Sequence, residues 1–455
     1  MTKTHIDVSE FQNRRHRILA QMPVNSIALF PAAKEVTRSR DTEFLFCQEK
    51  DFFYLSGFHE PDALLVLIKG DDADTASDVA ANSDANECIL FCRDKDPQAE
   101  VWHGRRVGPE VAQSEFGLEH AYGLSELEQV LPLYLNGRDA LYFAQGQFKE
   151  FDDMVFAILD ILRNGVKQGF TAPVSMHDTR PMLAEMRLIK SDAELAIMRS
   201  ANEISGNAHQ RAMTFCQPGK FEYQVEAEIL HEFASNGART AAYGSIVGGG
   251  ENATILHYTD NQDVLLDGEL LLIDAGAELC GYAADITRTF PVGGTFSAEQ
   301  AALYNLVLES QLAAIETIKP GSNFAIANEA ANNVLTRGLH RLGILKGSIE
   351  TLLEENACKQ YFIHGLGHWL GLDVHDVGDY HMDENRRQLR PFEPGMVMTI
   401  EPGLYIDADA DVDERYKGIG IRIEDNILVT ENGHENLTVN APKTIADIES
   451  LMAKR

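Results

Sequence analysis

The stretch Glu269–Phe290, ELLLIDAGAELCGYAADITRTF, decides how the chain is read. Glu269–Gly276 is an apolar strand ending in an acid, and Gly281–Phe290 reads as its return across a turn at Glu278–Gly281. Directly opposed residues of an antiparallel hairpin have a constant sum of positions, and period-two alternation sets the face. The midpoint of Asp274 and Asp285 falls between Leu279 and Cys280, inside that turn. The two aspartates are therefore expected to face each other across the strands.

The same arithmetic applies to Met396–Glu401 (MVMTIE) and Ile419–Leu428 (IGIRIEDNIL). Glu401 and Glu424 have their midpoint between Val412 and Asp413, at the centre of the acidic loop Asp407–Tyr416. Arg422 shares the face of Glu424, while Ile421 and Ile423 point to the opposite, apolar side. Opposed like charges cost stability unless a cation lies between them. Two such pairs, each set in an apolar strand, call for metal.

Between the hairpins lies HGLGHWLGLDVHD (residues 364–376), with three histidines, His364, His368 and His375. The i, i+4 spacing of His364 and His368 would suit a helical face, but Gly365, Gly367 and Gly371 argue for a loop or strand with close backbone approach. His257, in TILHYT (254–259), precedes the first acidic hairpin, so a histidine stands ahead of the acidic strands in each half. Four carboxylates and an imidazole form a hard ligand set that suits Mn²⁺ or a similar divalent ion better than a structural zinc. Four carboxylates also exceed the needs of one ion. Two ions about 3.5–4 Å apart would use them all, which points to metal-assisted hydrolysis.

Working outward, the 455 residues suggest two or three domains at roughly 100–200 residues each. Ala63–Ile68 (ALLVLI), Cys88–Phe91 (CILF) and Leu141–Phe143 read as strands and Phe151–Gly165 as a helix, giving a small α/β domain. The acid-rich segment Gly70–Glu87 reads as a solvated loop. Ser191-Asp-Ala-Glu194 is a capping box that opens a long helix, and a second helix runs from about Phe221 to Asn236-Gly237. The domain boundary is placed between Pro173 and Lys190, with domains of residues 1–180 and 181–455.

Lys and Arg number 39 against 70 Asp and Glu, for a net charge of −31. That balance disfavours nucleic acid or an anionic membrane as a partner, since both would be repelled. Met1–Arg17 has no apolar core of the signal-peptide kind, and the apolar runs are too short to span a bilayer. Six scattered cysteines (Cys47, Cys88, Cys92, Cys216, Cys280, Cys358), with one close pair and no second, read as buried reduced thiols in a cytoplasmic protein.

These motifs resemble the metallopeptidases of the pita-bread fold, and most of all the aminopeptidase P group. The resemblance covers essentially the whole chain. It implies an α/β (α+β) architecture, a small N-terminal α/β domain followed by a C-terminal pita-bread catalytic domain. It implies two divalent ions held by Asp274, Asp285, His368, Glu401 and Glu424, with Asp285 and Glu424 bridging and Glu401 doubling as proton shuttle. His257, His364 and His375 would bind substrate and steady the tetrahedral intermediate, and Arg422 would pair with a nearby acidic ligand. The implied activity is release of the N-terminal residue from Xaa-Pro-Yaa peptides. Prolidase, which cleaves Xaa-Pro dipeptides, is the alternative. The stretch Val101-Trp102-His103-Gly104-Arg105-Arg106 favours the aminopeptidase group, whose N-terminal domain carries a comparable segment. A homo-oligomer, dimer or tetramer, is implied as well, with Trp102, Arg105 and Arg106 as candidate contacts.

Overall fold

The computed structural model describes residues 6–70, 86–383 and 385–454, so most of the acid-rich segment Gly70–Glu87 lies outside the described residues. The chain divides into two compact units, Ile6–Met186 and Arg187–Arg455.

The first unit is built on a six-stranded mixed sheet. Its strands lie in the order His120–Gly123, Glu87–Cys92, Leu64–Lys69, Ser26–Pro31, Ala140–Tyr142, Ser175–His177. The central strand Leu64–Lys69 is buried at every position, so it reads as an unbroken apolar run rather than an alternating one. Leu64–Lys69 and Glu87–Cys92 pair antiparallel on either side of the acid-rich segment. The helix Lys149–Asn164 turns Val155, Ile158, Leu159 and Leu162 inward at helical spacing and packs them on the sheet. Cys88 and Cys92 lie on one strand, and burial pushes both thiols up to about 12. Among the described residues no cysteine is in a disulfide, but Cys47 and Cys280 are exposed rather than buried.

The second unit repeats one plan twice. Helices Asp192–Phe215 and Glu222–Ser235 precede the first acidic hairpin, and helices Ala298–Ile315 and Phe324–Arg341 precede the second. The first helix starts at the capping box: the Glu194 amide donates to Ser191 Oγ (3.4 Å) and the Ser191 amide to Glu194 Oε2 (2.9 Å). This duplicated helix–helix–hairpin arrangement is the pita-bread plan, and with the first unit it makes the chain an α/β (α+β) protein. Among the described residues no helix is long and apolar enough to cross a membrane.

Each acidic hairpin is broken where its carboxylates stand. In the first, Leu270–Asp274 pairs with Thr287–Pro291, and Ala277–Leu279 pairs with Tyr282–Ala283 in a separate small sheet. In the second, Val397–Ile400 pairs with Asp425–Thr430, whereas Gly403–Ile406 pairs with Ile419–Arg422. Asp274 and Asp285 flank the first break, and Glu401 and Glu424 the second.

Candidate metal centre

The register of the first hairpin corrects the sequence reading. Asp274 lies opposite Thr287, not Asp285. The chain reverses through the two-residue turn Cys280-Gly281, with φ of 50° and 85°, the left-handed pair of a type I′ turn that glycine accommodates. This moves the hairpin axis by one residue and the opposed partner by two. Because side chains alternate with period two, Asp285 stays on the Asp274 face as its diagonal neighbour. The second hairpin keeps the expected register: Gly403 pairs with Arg422 and Ile400 with Asp425, which sets Glu401 opposite Glu424. Ile421 and Ile423 are fully buried on the other side.

The histidine segment is not helical. It runs extended beside Val397–Ile400, with Trp369 bridged to Met398 and the Thr399 amide donating to the His368 carbonyl (2.9 Å). A side chain at Gly367 would put its Cβ 1.9 Å from the Thr399 carbonyl oxygen, so only glycine permits this approach.

The fold brings the predicted residues into one neighbourhood. Ligand atoms of Asp285, His368 and Glu424 lie within 4.8 Å of one another. His368 Nε2 is 3.4 Å from Asp285 and 3.6 Å from Glu401. Asp274 accepts from Arg422 Nη2 at 2.7 Å. His364 Nδ1 stands 3.7 Å from Glu401, and the rings of His368 and His375 are 4.2 Å apart. His257 is near enough for its charge to act on His375.

Three participants were missed in the sequence reading. The Tyr243 hydroxyl lies 2.6 Å from Asp274 Oδ1 and 2.5 Å from Asp285 Oδ1. Thr287 donates to Glu424 Oε2 (2.7 Å) and accepts from Arg422 Nε (3.0 Å). Tyr405 accepts from Arg422 Nη1 (2.9 Å) and is 2.8 Å from His364 Nε2. Arg422 thus ties Asp274 directly, Glu424 through Thr287, and His364 through Tyr405. Alternation alone could have found Thr287, two residues from Asp285, and Tyr405, on the face of the Arg422 partner Gly403. Nothing in the spacing marks Tyr243.

The electrostatics of this cluster fit cations. Burial, with Asp274 beside it, raises the Asp285 carboxyl above its ordinary value. Burial and three neighbouring carboxylates push Glu424 well up. Burial lifts Glu401 to about 7 against the opposing pull of His368 and Arg422. Burial alone would lower His368, but Asp285 and Glu401 reverse that and carry it to about 9. Raised carboxyls and a raised imidazole together mark a site that favours added positive charge.

Tyr243 makes the same point. One hydroxyl has one proton to share between the two carboxylates, so a second proton or a cation there would complete the arrangement. The Nδ1 of His368 lies 2.9 Å from the Trp369 carbonyl; donation there fixes the tautomer and turns Nε2 toward the carboxylates, as metal-binding imidazoles require. The donors are oxygens and one nitrogen, without thiolate, a set for divalent ions. His364 differs: burial and Arg422 lower it to about 4, so it is neutral at pH 7.

Comparison with known proteins agrees with this geometry. Residues 196–431 match the model of metallopeptidase family M24, and residues 11–142 match that of the aminopeptidase P N-terminal domain. The chain is 49% identical over 449 residues to the Xaa-Pro aminopeptidase of Escherichia coli (strain K12), covering 99% of this chain and 98% of that one. It superposes on proline aminopeptidase P II from Yersinia pestis with a TM-score of 0.94 at 50% identity, covering 99% of this chain and 100% of the other. Zinc-substituted E. coli aminopeptidase P in complex with product superposes equally well, with a TM-score of 0.94 at 49% identity over 99% of both chains. Family model, relatives and buried carboxylate cluster converge: the chain belongs to metallopeptidase family M24.

Proposed function

We propose that this chain is a metal-dependent aminopeptidase that releases the N-terminal residue from peptides with proline in the second position, Xaa-Pro-Yaa. The observation that carries the reading is the gathering of four carboxylates from two hairpins beside the His368 imidazole, in a chain matched end to end by Xaa-Pro aminopeptidases. The prolidase alternative drops out, because the relatives matched along the whole length are aminopeptidases.

Asp274, Asp285, His368, Glu401 and Glu424 are the proposed ligands of two divalent ions, Mn²⁺ by the hardness of the donors. Bound there, such ions polarise a carbonyl oxygen and make water a nucleophile at neutral pH. The chain supplies the rest. Glu401 is placed to take the proton of the attacking water and pass it to the leaving prolyl nitrogen. Neutral His364, with one ring nitrogen toward the Tyr405 hydroxyl and the other toward the Gly365 carbonyl, stands beside Glu401 where substrate charge develops. His257 and His375 would contact the substrate, and Arg422 orients Asp274 through its 2.7 Å hydrogen bond.

Chelation is expected to abolish hydrolysis of an Xaa-Pro-Yaa peptide, with Mn²⁺ restoring it and Xaa-Pro dipeptides turned over far more slowly. Full activity in a rigorously metal-free preparation would end the reading. His364→Ala is expected to lower kcat on the order of 10²–10³-fold with metal content intact, the usual cost of losing a group that steadies an oxyanion. Loss of metal from that variant would make His364 a ligand instead.

We further propose that residues 1–180 form the domain that mediates homo-oligomerisation and residues 181–455 the catalytic domain, in a cytoplasmic enzyme. Trp102 supports the oligomer: it sits on the helix Pro97–His103 with 84% of its surface exposed, an unusual position for tryptophan outside an interface. Trp102→Ala is expected to shift sedimentation toward smaller species and to weaken binding of longer peptides without changing the thermal transition. Sedimentation of the wild type as an active monomer would contradict this.

A further inference from the structure

His257 is exposed and rides on a turn after the short helix Gly250–Thr254, so its placement depends on the backbone that carries it. That backbone is clamped from behind by one carboxylate. Glu222, the first residue of helix Glu222–Ser235, is fully buried. Its Oε1 accepts from the Gly249 amide (2.7 Å) and from Asn252 Nδ2 (3.0 Å). Its Oε2 accepts from the Tyr258 hydroxyl (2.8 Å) and from the Asp263 amide (2.9 Å). Two of the donors, on Gly249 and Asn252, precede the turn and two, on Tyr258 and Asp263, follow it, and Tyr258 is the neighbour of His257. Four charge-assisted hydrogen bonds converging on one buried carboxylate are stronger and more directional than neutral ones.

A second anchor closes the turn on its far side. Asn261, in the left-handed region at φ 48°, accepts from the Val247 amide (3.0 Å) and donates to the Ser245 carbonyl (2.9 Å). The loop is thus fixed at both ends, and Glu222 reaches its middle through Tyr258. None of the four donors to Glu222 is a proposed metal ligand.

We propose that Glu222 is a positioning residue for the hydrolysis: it acts through His257 by clamping the turn that presents that imidazole to the substrate. The inference rests on the assignment of His257 as a substrate-contacting group. Glu222→Gln keeps the volume but replaces two acceptor oxygens with one and faces two of the four donors with an NH₂. The turn loosens by a fraction of an ångström, and displacements of that size at a reacting group cost rate.

The test is a double-mutant cycle on the Mn²⁺-loaded enzyme with an Xaa-Pro-Yaa peptide. Glu222→Gln is expected to lower kcat/KM by on the order of 10-fold, the cost of a slightly misplaced substrate-contacting group, with metal content unchanged. In a His257→Ala background the same change is expected to cost less than about 2-fold, because residues that act through one another are not additive. Tyr258→Phe, which removes one hydroxyl and leaves the core packing, is expected to give a smaller loss that also vanishes in His257→Ala. It carries the test if Glu222→Gln is poorly folded. Equal losses in both backgrounds would show a merely structural role and overturn the proposal, as would full activity of both clamp variants. A His257→Ala enzyme with wild-type kinetics would overturn the assignment of His257 and the clamp with it. An inactive wild type would instead fail the aminopeptidase reading.

Discussion

Glu424→Gln is expected to lose metal and more than about 100-fold in turnover, exceeding the 10–100-fold typical of residues that only support a ligand. The argument is electrostatic. Asp274, Asp285, Glu401 and Glu424 meet in one space, where Arg422 donates directly to Asp274 and each of the other carboxylates raises the cost of ionising Glu424. The amide of the Glu424→Gln variant would still accept from Thr287 and fill the same volume, so the change isolates charge. The sign of the stability effect should depend on metal. In the chelated protein one mutually repelling carboxylate has gone, and the variant should melt at a higher temperature than wild type. In the metal-loaded protein it should melt lower, because less binding free energy is linked to folding. Metal analysis and thermal unfolding with and without chelator decide the matter. Full metal occupancy, or a chelated variant that melts below wild type, would remove Glu424 from the ligand set.

Asp425→Ala is expected to destabilise the second unit by about 3–5 kcal/mol, the usual cost of stranding a buried charge. Asp425 and Arg288 are both fully inaccessible and meet at 2.7 Å; Lys443 and Asn436 share Asp425 Oδ2. Arg288 also donates to the carbonyls of Thr287, Glu424 and Ala441, so its loss of a partner would be felt along the hairpin seam. Burial alone would raise the Asp425 carboxyl, but Arg288 and Lys443 more than offset this and hold it well below the usual carboxylate range. The folded value therefore lies below the unfolded one. The contribution is fully present above about pH 4, the unfolded carboxylate value, and fades as pH falls below it. Acid unfolding of wild type and Asp425→Ala should accordingly converge at low pH. A constant gap between the two curves from pH 7 to pH 2 would refute the linkage.

Much of this was legible in the chain because period two is a strict rule. The second hairpin follows the midpoint arithmetic directly, since its strands are regular up to Glu401 and from Glu424 onward. The first missed by two positions because a type I′ turn at Cys280-Gly281, not a turn centred on Leu279-Cys280, reverses the chain. Parity rescued the face even where the partner was wrong. The glycines of residues 364–376 rightly outweighed the helical spacing of His364 and His368. Tyr243 was out of reach, because a single hydroxyl brought in from a distant loop leaves no period or spacing behind. Glu222 was unreadable for the same reason, being one acid among many at a helix start. The strand breaks at the four carboxylates were also invisible, since a kinked strand and a straight one share the same alternation.

The two hairpins differ sharply in how they turn. One closes in two residues, Cys280-Gly281, while the other wanders through the loop 407–418 before Ile419 resumes pairing. Both nevertheless deliver their carboxylates to the same place, because the acids sit at the breaks, beyond a stretch of paired backbone that fixes register before the chain reaches them. The loop end of each hairpin is therefore mechanically insulated from the chemistry. Insertions, tags or grafted recognition segments placed between Asp407 and Gly418 should be absorbed there, whereas a single residue added between Gly403 and Glu401's neighbour Pro402 would reverse the alternation and turn a carboxylate into the apolar core.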